Sequence, residues 1–264
     1  MAGTHRNLII CPIGDGSVHD SWLSHPQLRT FDLFLINYSN QPGFGRADAT
    51  WYVERKGFKW DQLHYAWQEH GDTLRRYDNI WCPDSDIRAD SASINRLFEL
   101  FDEHKLQLAQ PAIAKGEVSY EALRQRPGLI LRYTPFVELM CPLFTREAFW
   151  QVTPLFPESR SGWGLDWIWP RFFEPHQMAI IDQIGVEHTG KLFRGEHYQG
   201  LAKLGIYPSE DFDRLMAKYG GFRRRLHRRL VRGKVRLPAL REPNASRTYM
   251  ARLIESIGLR RAVA

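Results

Sequence analysis

Two near-continuous apolar runs set the fold class. Asn7 to Ile13 reads Asn-Leu-Ile-Ile-Cys-Pro-Ile, and Phe31 to Tyr38 reads Phe-Asp-Leu-Phe-Leu-Ile-Asn-Tyr. A strand with one wet face alternates apolar and polar residues. A run without alternation belongs to a strand covered on both faces, as in a parallel sheet. Turn chemistry closes each run, Gly14-Asp15-Gly16-Ser17 after the first and Ser39-Asn40-Gln41-Pro42-Gly43 after the second. Tyr52 to Glu54 fits a short third strand. Trp60 to His70 has helical spacing, with Trp60, Leu63, His64 and Trp67 on one stripe and Gly71 as a stop. Ile80 to Cys82 ends another buried strand, stopped by Pro83. Strands alternating with helices predict a Rossmann-like α/β half.

Further along, Asp90-Ser91 caps a helix from about Ala92 to His104, with Ile94, Leu97, Phe98 and Phe101 on its apolar face. Leu106 to Ile113 reads as a strand whose end Pro111 places near an edge. Residues 115–128 read as a loop with a short helix. Leu129 to Tyr133 and Phe136 to Phe144 read as strands, Thr145 to Trp150 as the start of a helix, Trp167 to Phe173 as a helix and Ala179 to Val186 as a last strand. Ser209-Glu210 opens a helix with Phe212, Leu215, Met216 and Tyr219 on one stripe. The expected division is a catalytic domain over 1–205 and a basic, mostly helical extension over 206–264.

A hydrophobic fraction of 43% rules out a disordered chain. Trp22, Trp51, Trp60, Trp163 and Trp167 lie near polar residues, which fits stacking surfaces and core packing equally. Cys11, Cys82 and Cys141 lie far apart, each beside apolar strand-like residues, so reduced core thiols and a cytosolic setting are expected. The N-terminal apolar stretch is too short and wrongly flanked for a signal peptide. No run approaches the roughly 18 apolar residues of a spanning helix. The expectation is a cytoplasmic protein, soluble or peripheral on the inner face of a membrane. Charge is uneven: residues 222–261 hold 13 Lys and Arg against Glu242 and Glu255, a net of +11, while the remainder is net −5. Phe222, Leu226 and Leu230 among Arg223, Arg224, Arg225, Arg228 and Arg229 form a basic amphipathic pattern. Such a pattern over 222–236 suits an anionic lipid surface, a solvated face or packing on the domain.

Three stretches carry chemistry. Asp84 and Asp86, spaced i, i+2 with Ser85 between, lie past a strand end, where open α/β sheets bind ligands. Hard oxygen donors there suit Mg²⁺ or Mn²⁺ holding a diphosphate, and serve equally as turn and cap residues. In Ser161-Gly162-Trp163-Gly164-Leu165-Asp166-Trp167, the glycines let the backbone bend and present an indole. An aromatic plate beside a carboxylate suits a sugar hydroxyl, and a glycine turn capping a helix explains the stretch as well. His188, in Val186-Glu187-His188-Thr189-Gly190 after the last strand, is either a metal ligand or structural.

Taken together, the order of these stretches resembles the nucleotide-sugar glycosyltransferases of the GT-A fold. More closely, residues 7 to about 200 resemble the family called domain of unknown function 707. The segments that carry the resemblance are Gly57-Phe58-Lys59-Trp60, Tyr77 to Ile87, Ala109-Gln110-Pro111-Ala112, Phe136 to Pro142, Gly162 to Asp166 and Val186-Glu187-His188. The resemblance implies a GT-A-like mixed, mostly parallel sheet flanked by helices. It also implies a glycosyltransferase dependent on Mn²⁺ or Mg²⁺, with a UDP- or GDP-sugar donor and a glycan or lipid-linked acceptor. In that scheme Asp84, Asp86 and His188 hold the metal, and Asp84, Asp15 and Lys59 lie at the donor. Trp163 and Gly164 lie at the acceptor, and Asp166 is the base of an inverting displacement. Leu165 stands where the related galactosyltransferase motif has an acid, so the base rests on Asp166 alone. A non-catalytic carbohydrate- or nucleotide-binding protein on the same fold is the alternative. A nucleic-acid binder acting through the tail is less favoured, because the basic residues are confined to one end.

Overall fold

β1 (Asn7–Ile13) and β2 (Phe31–Asn37) pair in parallel over their whole length, from Asn7↔Phe31 to Ile13↔Asn37. The computed structural model describes Gly3, residues 5–192 and residues 196–219. The basic amphipathic pattern over 222–236 lies outside the described residues. β3 (Trp51–Glu54) extends the parallel run on one side and β4 (Asn79–Trp81) on the other. Then come β5 (Ile87–Arg88), β6 (Leu108–Lys115), β7 (Arg132–Tyr133), β8 (Leu143–Thr145) and β9 (Met178–His188). Among the described residues these nine strands form one sheet, ordered β3-β2-β1-β4-β8-β6-β9-β5, with β7 paired to β9. β8 runs antiparallel to both β4 and β6, and β6 runs parallel to β9. Six strands therefore share one direction, and the carboxyl ends of β1, β4, β6 and β9 meet at one edge. The fold is the mixed, mostly parallel α/β architecture expected.

Both faces of the sheet are covered, which explains the missing alternation in the first two strands. Ile9, Cys11, Ile13, Leu33 and Leu35 point to the side of α3 (Ser91–Glu103), where Ile94, Leu97, Phe98 and Phe101 are buried. Leu8, Ile10, Phe34 and Ile36 point to the other side. There they meet Trp60, Leu63 and Ala66 of α1 (Lys59–Glu69) and Ala148, Phe149 and Val152 of α4 (Arg146–Val152). Period-2 geometry sends successive residues to opposite cores. The caps are local: Asp90 accepts from the Ser93 N–H at 2.7 Å and Thr145 from the Ala148 N–H at 3.1 Å. The chain continues past the Gly71 stop into α2 (Gly71–Leu74). It ends, among the described residues, with α5 (Leu165–Ile168), α6 (Glu196–Lys203) and α7 (Pro208–Tyr219). No helix of the described residues is long and apolar enough to cross a membrane.

Four expectations need correction. The apolar run Phe136 to Phe144 is not a strand; only Leu143–Thr145 joins the sheet. The rest is buried irregular chain, because its carbonyls find partners outside any ladder. The Trp169 indole donates to Val137, the Trp81 indole to Cys141, and the Cys82 and Asp84 N–H groups to Pro142 and Met140. The strand expected over Leu129 to Tyr133 shrinks to Arg132–Tyr133. The helix expected over Trp167 to Phe173 is the short α5 followed by a 3-10 turn over Trp169–Arg171, since Pro170 lacks the N–H a longer helix needs. Pro111 sits within β6 rather than at its end, at a register shift toward β9 and beyond the last β8 partner, Ala109.

The segment crossing from β6 to β7 is pinned by a buried ion pair. Arg132 donates to Asp182 of β9 at 2.6 and 3.0 Å and also to the carbonyls of Ala122 and Arg124. The Asp182 side chain is fully buried and the Arg126 N–H also reaches it, at 2.7 Å. Arg132→Ala leaves that carboxylate without its cation. It is expected to cost about 3–5 kcal/mol in a urea unfolding experiment. A loss below 1 kcal/mol would show that water replaces the guanidinium.

Candidate active site

The residues proposed for donor and metal converge on the carboxyl-end edge through two backbone registers. After β4, Pro83 starts a turn closed by the Ile87 N–H to the Asp84 carbonyl at 3.2 Å. The Val18 N–H donates to the Ser85 carbonyl at 2.8 Å, which ties the loop after β1 to this turn. Asp15 lies exposed in that loop. β5 pairs antiparallel with the last residues of β9, Ile87 opposite His188. Thr189 then bonds the Asp86 carbonyl through both its N–H and its hydroxyl, each at 2.9 Å. This pairing brings two residues about a hundred positions apart into contact, His188 Nε2 to Asp86 Oδ2 at 3.3 Å. At Gly190 a Cβ would stand 2.1 Å from Asp86 Oδ2, so any larger residue would displace that carboxylate from its present position.

Lys59 is the first residue of α1, a position that the helix dipole disfavours for a cation. It is held there by Asp84 Oδ1 at 2.6 Å and the carbonyls of Leu139 and Met140 at 2.7 and 3.1 Å. His188 donates from Nδ1 to the Glu117 carbonyl at 2.9 Å. Burial alone would lower the His188 pKa, but the bonds to Asp86 and Glu117 and the charges of Asp86 and Asp84 outweigh it. The imidazole is pushed up to about 9.

The acceptor-side stretch is built from its glycines and from α7. Gly162 and Gly164 both have positive φ, +83° and +95°. A Cβ on Gly162 would meet the Trp60 indole at 2.2 Å, and one on Gly164 would press on Leu215 of α7. Asp211 of α7 accepts from the Ser161 N–H at 3.0 Å and the Ser161 hydroxyl at 2.8 Å, and Ser161 in turn accepts from the Trp163 N–H. Trp163 is half-buried. Four residues on from it, Trp167 joins a series of edge-to-face rings that runs Tyr120, Phe136, Trp167, Phe212. Asp166 is buried in the first turn of α5, bonded by backbone N–H groups. Burial foremost, and then the charge of Glu138, raises its pKa well above the carboxylate range.

Glu138, Glu117 and Asp211 belong to this region and were not singled out from sequence. Glu138 fell inside a segment assigned to a strand, although a lone acid in an apolar run is itself a signal. It is 7% exposed, its N–H donates to Gln110 Oε1 at 2.7 Å, and its Oε2 has no hydrogen-bond partner. Burial, with the Asp84 charge adding, pushes it up to about 7 against Ser119, His188 and Lys59.

Among the described residues, no three His, Cys, Asp or Glu side chains converge as a ready metal site. Asp86 and His188 nevertheless fit a divalent cation. Asp86 Oδ1 is buried with no hydrogen-bond partner, and a ligating imidazole commonly donates its other nitrogen to a backbone carbonyl, as His188 does. Asp84, the third expected ligand, is held by Lys59 instead.

No family model matches the chain, so the resemblance to domain of unknown function 707 has no support from that comparison. No curated protein matches it either. Among solved structures the chain is similar to residues 1–349 of S. aureus TarS in complex with UDP-GlcNAc. That match has a TM-score of 0.49 and 11% identity, and covers 86% of this chain and 70% of that one. It is also similar to S. aureus TarS at a TM-score of 0.44 and 9% identity, covering 81% of this chain and 42% of that one. Likeness of this degree assigns neither family nor activity.

Proposed function

We propose that the chain is a glycosyltransferase that moves a sugar from a nucleotide donor to a glycan or lipid-linked acceptor. One observation carries the reading: the β5–β9 register sets His188 against Asp86 at the carboxyl edge of parallel strands, beside the Asp84–Lys59 pair. Ligands of open α/β sheets bind at that edge. A glycine-bent stretch with an indole and a buried acid, Gly162 to Asp166, supplies a second and different surface, as a two-substrate reaction needs.

In this reading Asp15 and the loop after β1 face the nucleoside, and Lys59 keeps Asp84 turned toward the donor. Asp86 and His188 would hold Mn²⁺ or Mg²⁺, which neutralises the diphosphate as the sugar–phosphate bond breaks. Trp163 stacks on the acceptor sugar, Gly164 lets the backbone turn that presents it, and Asp166 receives the hydroxyl proton in an inverting displacement. A nucleotide-binding protein without turnover is the competing reading, and hydrolysis of a donor separates the two.

Four outcomes test the assignment. Asp86→Ala should abolish Mn²⁺-dependent stabilisation by UDP or GDP in a thermal-shift assay while the apo protein still melts cooperatively. Equal stabilisation would remove Asp86 from the metal site. The imidazole must be neutral to bind a cation, and without metal it is protonated below about pH 9. Apparent Mn²⁺ affinity should therefore rise with pH up to that value, with about one proton released per ion. Calorimetry in buffers of different ionisation enthalpy counts that proton, and a count of zero would rule out His188 as ligand. Asp166→Asn should keep donor binding and cut transfer about a hundredfold or more, whereas Trp163→Ala should raise the acceptor KM. Unchanged turnover in Asp166→Asn would return that residue to a capping role.

A further inference from the structure

We infer that Glu117 is a positioning residue of the cation site, fixing both the His188 ring and the loop that passes over Asp86. This role rests on the reading above, in which Asp86 and His188 hold a divalent ion. The contacts themselves do not. Glu117 lies two residues past β6, whose end pairs in parallel with the end of β9, Lys115 opposite Glu187. That register carries Glu117 to the level of His188. Its carbonyl accepts from His188 Nδ1 at 2.9 Å, and its carboxylate Oε2 accepts from the Leu192 N–H at 2.8 Å. The approach needs a glycine just before it. Gly116 has φ +96°, and a Cβ there would stand 1.9 Å from the His188 carbonyl oxygen.

The two contacts do different things. A carbonyl can only accept, so Nδ1 carries a hydrogen and Nε2 is the nitrogen left for a metal. Nε2 faces Asp86 Oδ2 at 3.3 Å. The carboxylate acts on the loop over 189–192, which is tied down at both ends. At its start the Thr189 N–H and hydroxyl bond the Asp86 carbonyl, and at its end the Leu192 N–H bonds Glu117. Gly190 lies between these anchors. A Cβ on it would come 2.1 Å from Asp86 Oδ2 and 3.2 Å from His188 Nε2. Both candidate donor atoms therefore border one space, kept open because the loop carries no side chain there. The Leu192 anchor holds the Gly190 backbone at the margin of that space. The Glu117 side chain is itself exposed, so its removal should change global stability little. Its effect should fall on the geometry of the two donor atoms.

Two measurements on the full chain test this, with Mn²⁺ alone as the probe. Hydrogen exchange of the metal-free protein reads the anchor. Glu117→Ala should speed exchange over residues 188–192, and Glu117→Gln, which keeps an acceptor oxygen, should restore most of the protection. Unchanged exchange in Glu117→Ala would overturn the anchor. Calorimetric titration with Mn²⁺ reads the site. Glu117→Ala should weaken binding about tenfold, as expected for losing a group that orients a metal ligand, while the metal-free melting temperature moves little. Glu117→Gln should bind close to wild type. A loss shared equally by the Ala and Gln variants would be an effect of charge and would overturn the positioning role. So would faster exchange in Glu117→Ala with unchanged Mn²⁺ affinity, which leaves Glu117 a structural anchor. If the wild type binds no Mn²⁺, the cation reading fails and the positioning role fails with it, whereas the exchange result decides the anchor independently.

Discussion

One buried ammonium organises the carboxyl edge of the sheet. Lys59 spends its three donors on Asp84 and on the carbonyls of Leu139 and Met140, with its side chain only 11% exposed. The Asp84 N–H returns a bond to the Met140 carbonyl, so turn, helix start and irregular segment are locked as one unit. The lock explains how a cation is tolerated at a helix N-terminus and how an apolar run can be buried without joining the sheet. Without the ammonium the Leu139 carbonyl would lose its donor, while the Met140 carbonyl would keep the Asp84 N–H, and a buried carbonyl left unpaired costs about 1–3 kcal/mol. Glu138 lies one residue before this anchored stretch, and its position is inherited from it.

The strands that were legible in the sequence are those whose pattern follows from being covered on both faces. Asn7–Ile13 matches its expected bounds, and Phe31–Asn37 ends one residue early. The Asp90 cap likewise follows from local chemistry. The same rule misled at Phe136 to Phe144, because apolarity reports burial and not ladder pairing. The Trp81 and Trp169 indoles supply the bonds that a neighbouring strand would have supplied. Trp22 and Trp60, candidates for stacking surfaces, are core residues, and the Trp22 indole donates inward to the Ile87 carbonyl. In the candidate site, Asp84 and Asp86 stood out by spacing and Asp166 by its glycines. The contact between Asp86 and His188 depends on a two-residue strand, β5, too short to leave a periodic signal.

α7 is a wall of the candidate acceptor region. Asp211 holds Ser161, Phe212 meets Trp167 edge to face, and Leu215 fills the space that Gly164 leaves. Arg214 bonds both Asp211 and the Glu158 carbonyl, and Lys218 pairs with Glu158 from the next turn. A helix expected as the start of an extension thus holds the stretch around Trp163 through Asp211, Phe212, Arg214, Leu215 and Lys218.

Charge balance ties the two halves of the site together. On the donor side Asp84 and Asp86 face Lys59 and an imidazole that stays protonated up to about pH 9, so that half is close to neutral. Beyond it, burial raises the pKa of both Glu138 and Asp166, with the Asp84 charge adding at Glu138 and the Glu138 charge at Asp166. A diphosphate brought to the edge adds negative charge that two already engaged cations cannot offset. A divalent ion replacing the His188 proton would add a net single charge and leave Asp86 paired, which makes nucleotide and cation binding mutually reinforcing.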